Sequence, residues 1–440
     1  MVRTLIFIFV LLICLFTPER GEAERDSLNI EEAGYYEFTD LYPPFPENVE
    51  VRKLLKEIIF APAVEAMRAS QGVFVQKNFN NRVLFQVKRQ NGAFYLLFTN
   101  EENYSFPLYS RGSYIIKRSL EDGSLLQIKI FLRNHPECFL RIFPRNDRSS
   151  MDVYLYGYPV YQNINLPISL QEITTSPFNL LKRMSKNSVD WSLIFSPEAE
   201  QYKEVRLMAE KIRGKLPELR DADDGAMNQN GEYVLIEDLS IQESGGFNCS
   251  GFAKWIVDGI YYLKNGRYLP IERLKDKNYS TRGHRWSERY EDSRDPYFGL
   301  DWTRNLSLSL LETESESKAL IDPEVADVRE VPFFDYIEDV GYPVENLKLI
   351  LYLISKKEPG FFYLGSINGY FGENPGLHQH FHIVVLFPYF SSDGSFKVSV
   401  MERNMETDLN SLQKRYRGDF IHLVKIKADA EIILPETGKK

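Results

Sequence analysis

The chain has 440 residues, 43 % of them hydrophobic, which excludes a disordered polypeptide and provides for more than one core. A net charge of -9 without a long run of Lys and Arg argues against nucleic acid as a partner, because phosphate binding calls for clustered basic side chains. Aromatic residues make up 14 %, carried by 30 Phe and 26 Tyr, a composition that favours β-sheet packing.

The chain opens with "MVRTLIFIFVLLICLFTPERGEA". Arg3 supplies a positive start, Leu5 to Phe16 an apolar stretch too short to span a bilayer, and Gly21 and Ala23 small residues at the two cleavage-determining positions. This pattern predicts a signal peptide over residues 1–23 and an exported chain, periplasmic or extracellular. An uncleaved anchor helix is the alternative. "LLIC" hints at a lipoprotein box ending in Cys14, but Ile13 is bulkier than such boxes usually allow. No later stretch is apolar enough to cross a membrane, and nothing in the sequence sets an oligomeric state. The mature chain would keep Cys138 and Cys249, either as a bridge or as a buried thiol and a reactive one.

Residues 24–70 read as an acidic linker with "YPPFP" followed by a helix, Val51, Leu54, Leu55, Ile58 and Ile59 on one face and Pro62 interrupting it. Residues 71–180 change character. Asn91-Gly92 and Asp122-Gly123 each divide a pair of β-rich runs, and "CFLRIFPRNDRSSMDVYLYGYPV" reads as a third hairpin. We expect a β-rich meander, with Cys138 a buried small hydrophobe. The second half, 181–440, begins with a helix carrying Val205, Met208, Ala209 and Ile212 on one stripe, with Ser196 as its N-cap and Pro197 at its first position.

"GGFNCSGFAKW" at 245–255 carries the first chemical signal. Phe252, Trp255, Ile256 and Ile260 recur at helical spacing, so a helix starts close to Cys249. A thiol there sees unpaired N–H groups and the positive end of the helix dipole, both of which favour the thiolate. Ser250 and Gly251 are small and leave room for a substrate carbonyl, with backbone N–H groups as oxyanion donors. A thiolate nucleophile needs a base, and the base a group that orients it. Of six His, three alternate in "GLHQHFHIVVLF", so an unbroken strand puts His378, His380 and His382 on one face. His284 falls in a charged stretch and His422 reads as structural. The next strand ends with Glu402 and Asn404, which share a face in the same alternation. A carboxylate or amide there orients the histidine.

"GGFNCSGFAKWIVDGIYYLKNGRYLP" resembles the nucleophile segment of NlpC-type cysteine peptidases, papain-like enzymes of bacterial cell-wall metabolism. The match takes in Gly245, Gly246, Cys249, Ser250, Gly251, Phe252, Gly266, Leu269 and Pro270. "EPGFFYL" and "HIVVLF" are similar to the strand before the family histidine and the strand it heads, which selects His382. "DGSFKVSVMERN" looks like the corresponding part of CHAP amidases. The resemblance implies an α+β papain-like domain, its cysteine helix packed on an antiparallel sheet, over about 200–425 and preceded by the β-rich domain. It implies Cys249 as nucleophile, His382 as base, Glu402 as orienting group and Asn404 as auxiliary, with His380 an alternate base and Tyr233 corresponding to a tyrosine near the thiol. Neither metal nor cofactor is implied, and the substrate would be peptidoglycan or another peptide. Asn248 departs from the family's Asp, and the stretch 271–357 is an excess that reads as a lid or specificity insertion.

Three readings follow. The first is a thiol hydrolase of amide bonds, endopeptidase or amidase, acting on peptidoglycan stem peptides. The second is a zinc hydrolase built on His378, His380 and His382 with Glu402. The third is a non-catalytic envelope protein with a degenerate peptidase fold.

Overall fold

Turn chemistry organises the first half. Asn91 and Gly92 both take positive φ (48° and 72°), the geometry a two-residue hairpin turn requires. Tyr156-Gly157 repeats it at 50° and 83°. Between these turns run β1 (Gly72–Gln76), β2 (Asn81–Gln90), β3 (Ala93–Asn100), β4 (Tyr114–Ser119), β5 (Leu125–Phe131), β6 (Phe139–Arg145), β7 (Arg148–Leu155) and β8 (Tyr158–Leu166). They pair in chain order as an eight-stranded antiparallel meander. The computed structural model describes residues 45–77, 80–195, 197–278, 295–314, 321–370 and 378–437. The expected signal peptide, Cys14, Ser196 and His284 lie outside the described residues.

Phe85, Phe94, Leu96, Ile116, Ile128, Leu140 and Met151 alternate onto the inner face of the meander, all fully buried. Short helices on both sides of the meander in sequence cover them, contributing Val51, Ile59, Leu170, Ile173 and Leu181. The expected helix before the sheet is broken into three short pieces, Val49–Leu54, Lys56–Phe60 and Ala63–Ala66, the last starting after Pro62. A buried guanidinium ties them down. Arg52 donates to Glu47 Oε1 (2.8 Å), to Asn48 Oδ1 (2.7 Å) and to the carbonyls of Thr174 and Ser176 (2.7 and 2.9 Å). It also stacks on the Tyr114 ring at 4.0 Å. Cys138 is buried beneath this sheet, and burial pushes its thiol up to about 11.

The second half opens with the helix Lys203–Lys215, whose buried stripe is Val205, Met208, Ala209 and Ile212. A single-turn segment, Ala199–Tyr202, leads into it, so it begins later than Pro197. After the ribbon β9 (Ala226–Met227) and β10 (Tyr233–Val234) comes the cysteine helix, Cys249–Asn265, closed by Gly266 in the left-handed conformation (φ 63°). Then follow β11 (Tyr342–Pro343), β12 (Phe361–Tyr370), β13 (His378–Phe390), β14 (Phe396–Glu402), β15 (Met405–Thr407) and β16 (Phe420–Lys427). They form an antiparallel sheet in the order β11-β16-β12-β13-β14-β15. The whole is a mixed α+β structure.

Both faces of this second sheet are buried. On one, Phe362, Leu364, Ile383, Val385 and Phe387 meet the cysteine helix and the helix Phe298–Glu314 through Trp255, Trp302 and Leu306. On the other, Tyr363, Ile367, Val384, Leu386 and Val400 share one apolar core with the helix Leu347–Lys357 and the inner face of the meander. The described residues accordingly fall within one compact unit. Where it is described, the stretch 271–357 is not a lid: it supplies the helices Phe298–Glu314 and Leu347–Lys357 to these cores, because Trp302, Leu306, Leu351 and Tyr352 have no exposed surface to spare.

Removing one member of a buried ion pair strands the other, at about 3–5 kcal/mol, whereas an exposed pair contributes about 1 kcal/mol or less. Arg52→Ala is therefore expected to lower unfolding free energy by about 3–5 kcal/mol, and Arg82→Ala, at the exposed pair with Glu101, by about 1 kcal/mol or less in chemical denaturation.

Candidate active site

The cysteine helix begins at Cys249 because Asn248 caps it. Asn248 Oδ1 accepts from the Gly251 N–H at 2.8 Å, and its Nδ2 donates to Asp224 Oδ1 at 3.3 Å. The departure from Asp at this position thus has a local reason. An amide caps as well as a carboxylate, and it turns a donor rather than a second negative charge toward Asp224. The Asn248 N–H is taken by Gly225 O (3.2 Å). Among the described residues, the Cys249 and Ser250 N–H groups carry no partner, so two first-turn donors remain beside the thiol.

The small residues around the cysteine serve packing. A Cβ on Gly251 would meet Gly225 O at 1.9 Å, so only glycine lets the helix start lie against the ribbon. Ser250 is buried, and its carbonyl accepts from Trp302 Nε1 at 3.0 Å. Room for a substrate is therefore not what Ser250 and Gly251 provide. Gly245 (φ 61°) lies beneath the Tyr233 ring, which also packs on Phe247 at 5.3 Å. Tyr233 holds the approach loop and makes no described hydrogen bond to Cys249.

The three histidines do not share a face. The β12–β13 register shifts between Ile367 and Asn368: Ile367 pairs with His382 and Asn368 with His380, leaving Phe381 as an extra residue. One extra residue resets the alternation, so His378 and His380 go to one side of the sheet and His382 to the other. His380 lies with Ser366 against Gly299 of the Phe298–Glu314 helix. Its Nε2 faces the Asp339 carbonyl (2.9 Å) and its Nδ1 the Ser366 hydroxyl (2.8 Å). A carbonyl only accepts, so Nε2 carries the proton and Nδ1 accepts from Ser366. Burial, with the nearby His422, holds the His380 ring well below its ordinary value. His378 Nε2 donates to Asn368 Oδ1 at 2.9 Å. Neither ring is free to serve as base, and the zinc arrangement loses its common face. Among the described residues, no group of three His, Cys, Asp or Glu is placed to hold a metal.

His382 is the ring that meets the cysteine. Its Nε2 donates to Glu402 Oε2 at 2.7 Å, which leaves Nδ1 for the thiol, with which the ring is hydrogen-bonded. The sulfur also accepts from the Ile383 N–H, so the thiol comes up against the strand itself. Glu402 is buried, and its second oxygen accepts from Arg415. The Tyr416 ring lies 5.7 Å from the imidazole.

Asn404 is not in this chain of contacts. It occupies, with Arg403 (φ 54°), the two-residue turn that pairs Glu402 with Met405. The strand ends before it, so the alternation that placed it beside Glu402 does not reach it. Arg403 and Arg415 are the residues that the sequence pattern missed. Arg403 pairs with Asp221 at 2.9 Å and adds positive charge near the thiol, and Arg415 anchors Glu402.

The electrostatics follow. Burial works against charge on His382, but its hydrogen bonds to Cys249 and Glu402 outweigh that and raise the ring to about 9. Burial likewise opposes the Cys249 thiolate, yet the bond from His382, its charge, the Ile383 N–H and Arg403 hold the thiol below its ordinary value. Burial would raise Glu402 as well, and His382 and Arg415 keep it ionised. Together these neighbours favour a thiolate–imidazolium pair backed by an ionised carboxylate.

Alkylation of Cys249 is expected to stay fast at a lower pH than that of an ordinary cysteine, because its thiol is held below the usual value. It changes again near pH 9, where His382 gives up its proton and the sulfur loses its ion-pair partner. His382→Ala removes the hydrogen bond and charge that offset burial of the thiol, so the rate near pH 7 should drop by roughly tenfold or more. Glu402→Gln should shift the upper transition below 9, by roughly one unit. Mass-mapped iodoacetamide kinetics across pH measure all three.

Residues 43–193, the meander with its flanking helices, match a family model described as "Domain of unknown function (DUF8515)". No curated protein and no solved structure matches the chain.

Proposed function

We propose that this protein is a cysteine hydrolase of amide bonds, with Cys249 as nucleophile, His382 as acid and base, and Glu402 as the group that orients and charges the ring. The observation that carries the reading is the unbroken contact chain from Cys249 through His382 to Glu402. It assembles a helix N-terminus and two strands around one thiol.

The steps balance on these residues. The Cys249 thiolate attacks the substrate carbonyl carbon, and the carbonyl π pair moves onto oxygen, where the Cys249 and Ser250 N–H groups are the available donors. The His382 imidazolium gives its Nδ1 proton to the amide nitrogen as the C–N bond breaks, leaving a thioester and a free amine. Neutral His382 then takes a proton from water as the water oxygen attacks the thioester. Collapse releases the carboxylic acid and restores the thiolate beside the imidazolium. Through the cycle the Glu402 carboxylate keeps Nε2 protonated and the ring in one orientation.

The substrate class rests on the resemblance to NlpC-type and CHAP enzymes and on the signal peptide expected over residues 1–23: a stem peptide of bacterial cell wall, with the papain-like arrangement as the finer fold. Purified cross-linked muropeptides incubated with the protein test it, with products resolved by mass. Loss of a peptide or amide linkage is expected, reduced by roughly 10³-fold or more in Cys249→Ala and His382→Ala. Hydrolysis that survives Cys249→Ala would sink the thiol mechanism. A Cys249 that reacts with iodoacetamide while no muropeptide is cleaved would leave the chemistry and remove the substrate. A Cys249 inert at neutral pH would point to the non-catalytic envelope protein.

A further inference from the structure

The outer face of the meander carries a feature that the thiol chemistry does not use. Leu97, Ile115 and Phe131 form a separate small apolar cluster there, away from the two cores. Over it lies an open groove of about 390 Å³, walled on one side by Phe106 and Leu108 from the segment between β3 and β4. None of the described residues lining it is acidic. Lys88, Lys117 and Lys129 line it, and none of the three takes part in an ion pair among the described residues. The Lys129 ammonium sits 3.5 Å above the Phe139 ring and 4.9 Å from Phe131, and Lys117 lies 5.9 Å from the Tyr95 ring. Aromatic faces hold these cations in place while leaving them without a counter-anion. Gln86, Gln90 and Gln127 add neutral donors and acceptors between them. On a chain of net charge -9, a groove lined by lysines alone among charged residues is a local reversal of sign.

We infer that this groove binds a carboxylate-bearing glycan strand. The apolar floor and the Tyr95 and Phe106 rings offer surfaces for the C–H faces of sugar rings. The amides suit hydroxyls, and the spaced ammonium groups suit acidic groups that recur at intervals along a polysaccharide. A nucleic acid presents a charge at every nucleotide and is held by clustered basic side chains, which three lysines among neutral residues do not supply. An extended peptide commonly adds to a sheet edge through backbone hydrogen bonds, whereas this groove lies on a face whose strands are already paired. The inference stands apart from the Cys249 chemistry, since its residues all belong to the 43–193 region.

Isothermal titration of the full chain tests it with three probes: an oligogalacturonate, a neutral cello-oligosaccharide of equal length and a single-stranded oligonucleotide. None carries a peptide bond for the thiol site to cut in place of binding. The oligogalacturonate is expected to bind saturably, roughly tenfold or more tighter than the neutral glycan, and to weaken as salt is raised. The triple variant Lys88→Gln, Lys117→Gln, Lys129→Gln should lose roughly tenfold or more in affinity at an unchanged thermal midpoint. If that variant fails to fold, Lys117→Gln alone, with the salt dependence of the unaltered chain, carries the comparison. Equal affinity before and after the lysine changes would overturn the proposal, as would no saturable binding of either glycan. Tighter binding of the oligonucleotide would overturn it in favour of nucleic acid.

Discussion

One additional residue in a strand decides where the chemistry of this protein lies. Phe381 is an extra residue between the His380 and His382 positions that face successive residues of β12, and the alternation of β13 is reset there. On the far side of that bulge, His378 and His380 are spent on Asn368, Ser366 and the Asp339 carbonyl. On the near side, His382 turns to the edge where the cysteine helix arrives. Without the bulge, three similar rings would crowd one face and none would be singled out. With it, two are locked neutral into a polar interior and one is left between a thiol and a carboxylate.

The second constraint is the way the helix begins. A thiol is drawn toward its anion by unpaired N–H groups and by a cation, and is pushed back by burial. At Cys249 these effects are brought into balance by neighbours that each have another task. Asn248 caps the helix, Gly251 makes room for the Gly225 backbone, and Ile383 is a strand residue whose N–H reaches the sulfur. The segment just before β9 is acidic, with Asp221, Asp223 and Asp224 within four residues. Arg403 pairs with Asp221, and Asn248 turns an amide donor rather than a second carboxylate toward Asp224.

The site half is also not free of the meander. Arg133, just after β5, is buried. It donates to the Tyr352 hydroxyl (2.8 Å) and to Gly394 O (2.8 Å) in the turn between β13 and β14, and stacks near Tyr352 and Phe390. That turn sets the register of the hairpin bearing both His382 and Glu402. A guanidinium from the first sheet thus bears on the hairpin that carries two of the three site residues, through one shared core.

Local signals carried far. The Asn-Gly and Asp-Gly turns, the alternation of the meander, the stripe of the Lys203–Lys215 helix and the helix starting at Cys249 are all short-range, and backbone propensity and periodicity suffice to read them. The pairing of the β13–β14 hairpin, and with it the proximity of Glu402 to His382, belongs to the same class. What periodicity cannot register is an inserted residue that changes its phase. That is why three histidines read as one face and Asn404 as a strand neighbour of Glu402. Nor does spacing along the chain reveal that Trp302 would dock on Ser250, that Arg415 would hold Glu402, or that charged-looking residues 271–357 would contain two core helices. Those contacts join positions far apart in sequence, and they exist only because burying apolar surface brings their elements together. The sequence by itself determined the elements, the nucleophile's helix and the candidate residue types. Tertiary structure alone decided which histidine faces the thiol, which oxygen orients it and what holds that carboxylate, because each depends on the register and packing between strands rather than on any strand alone.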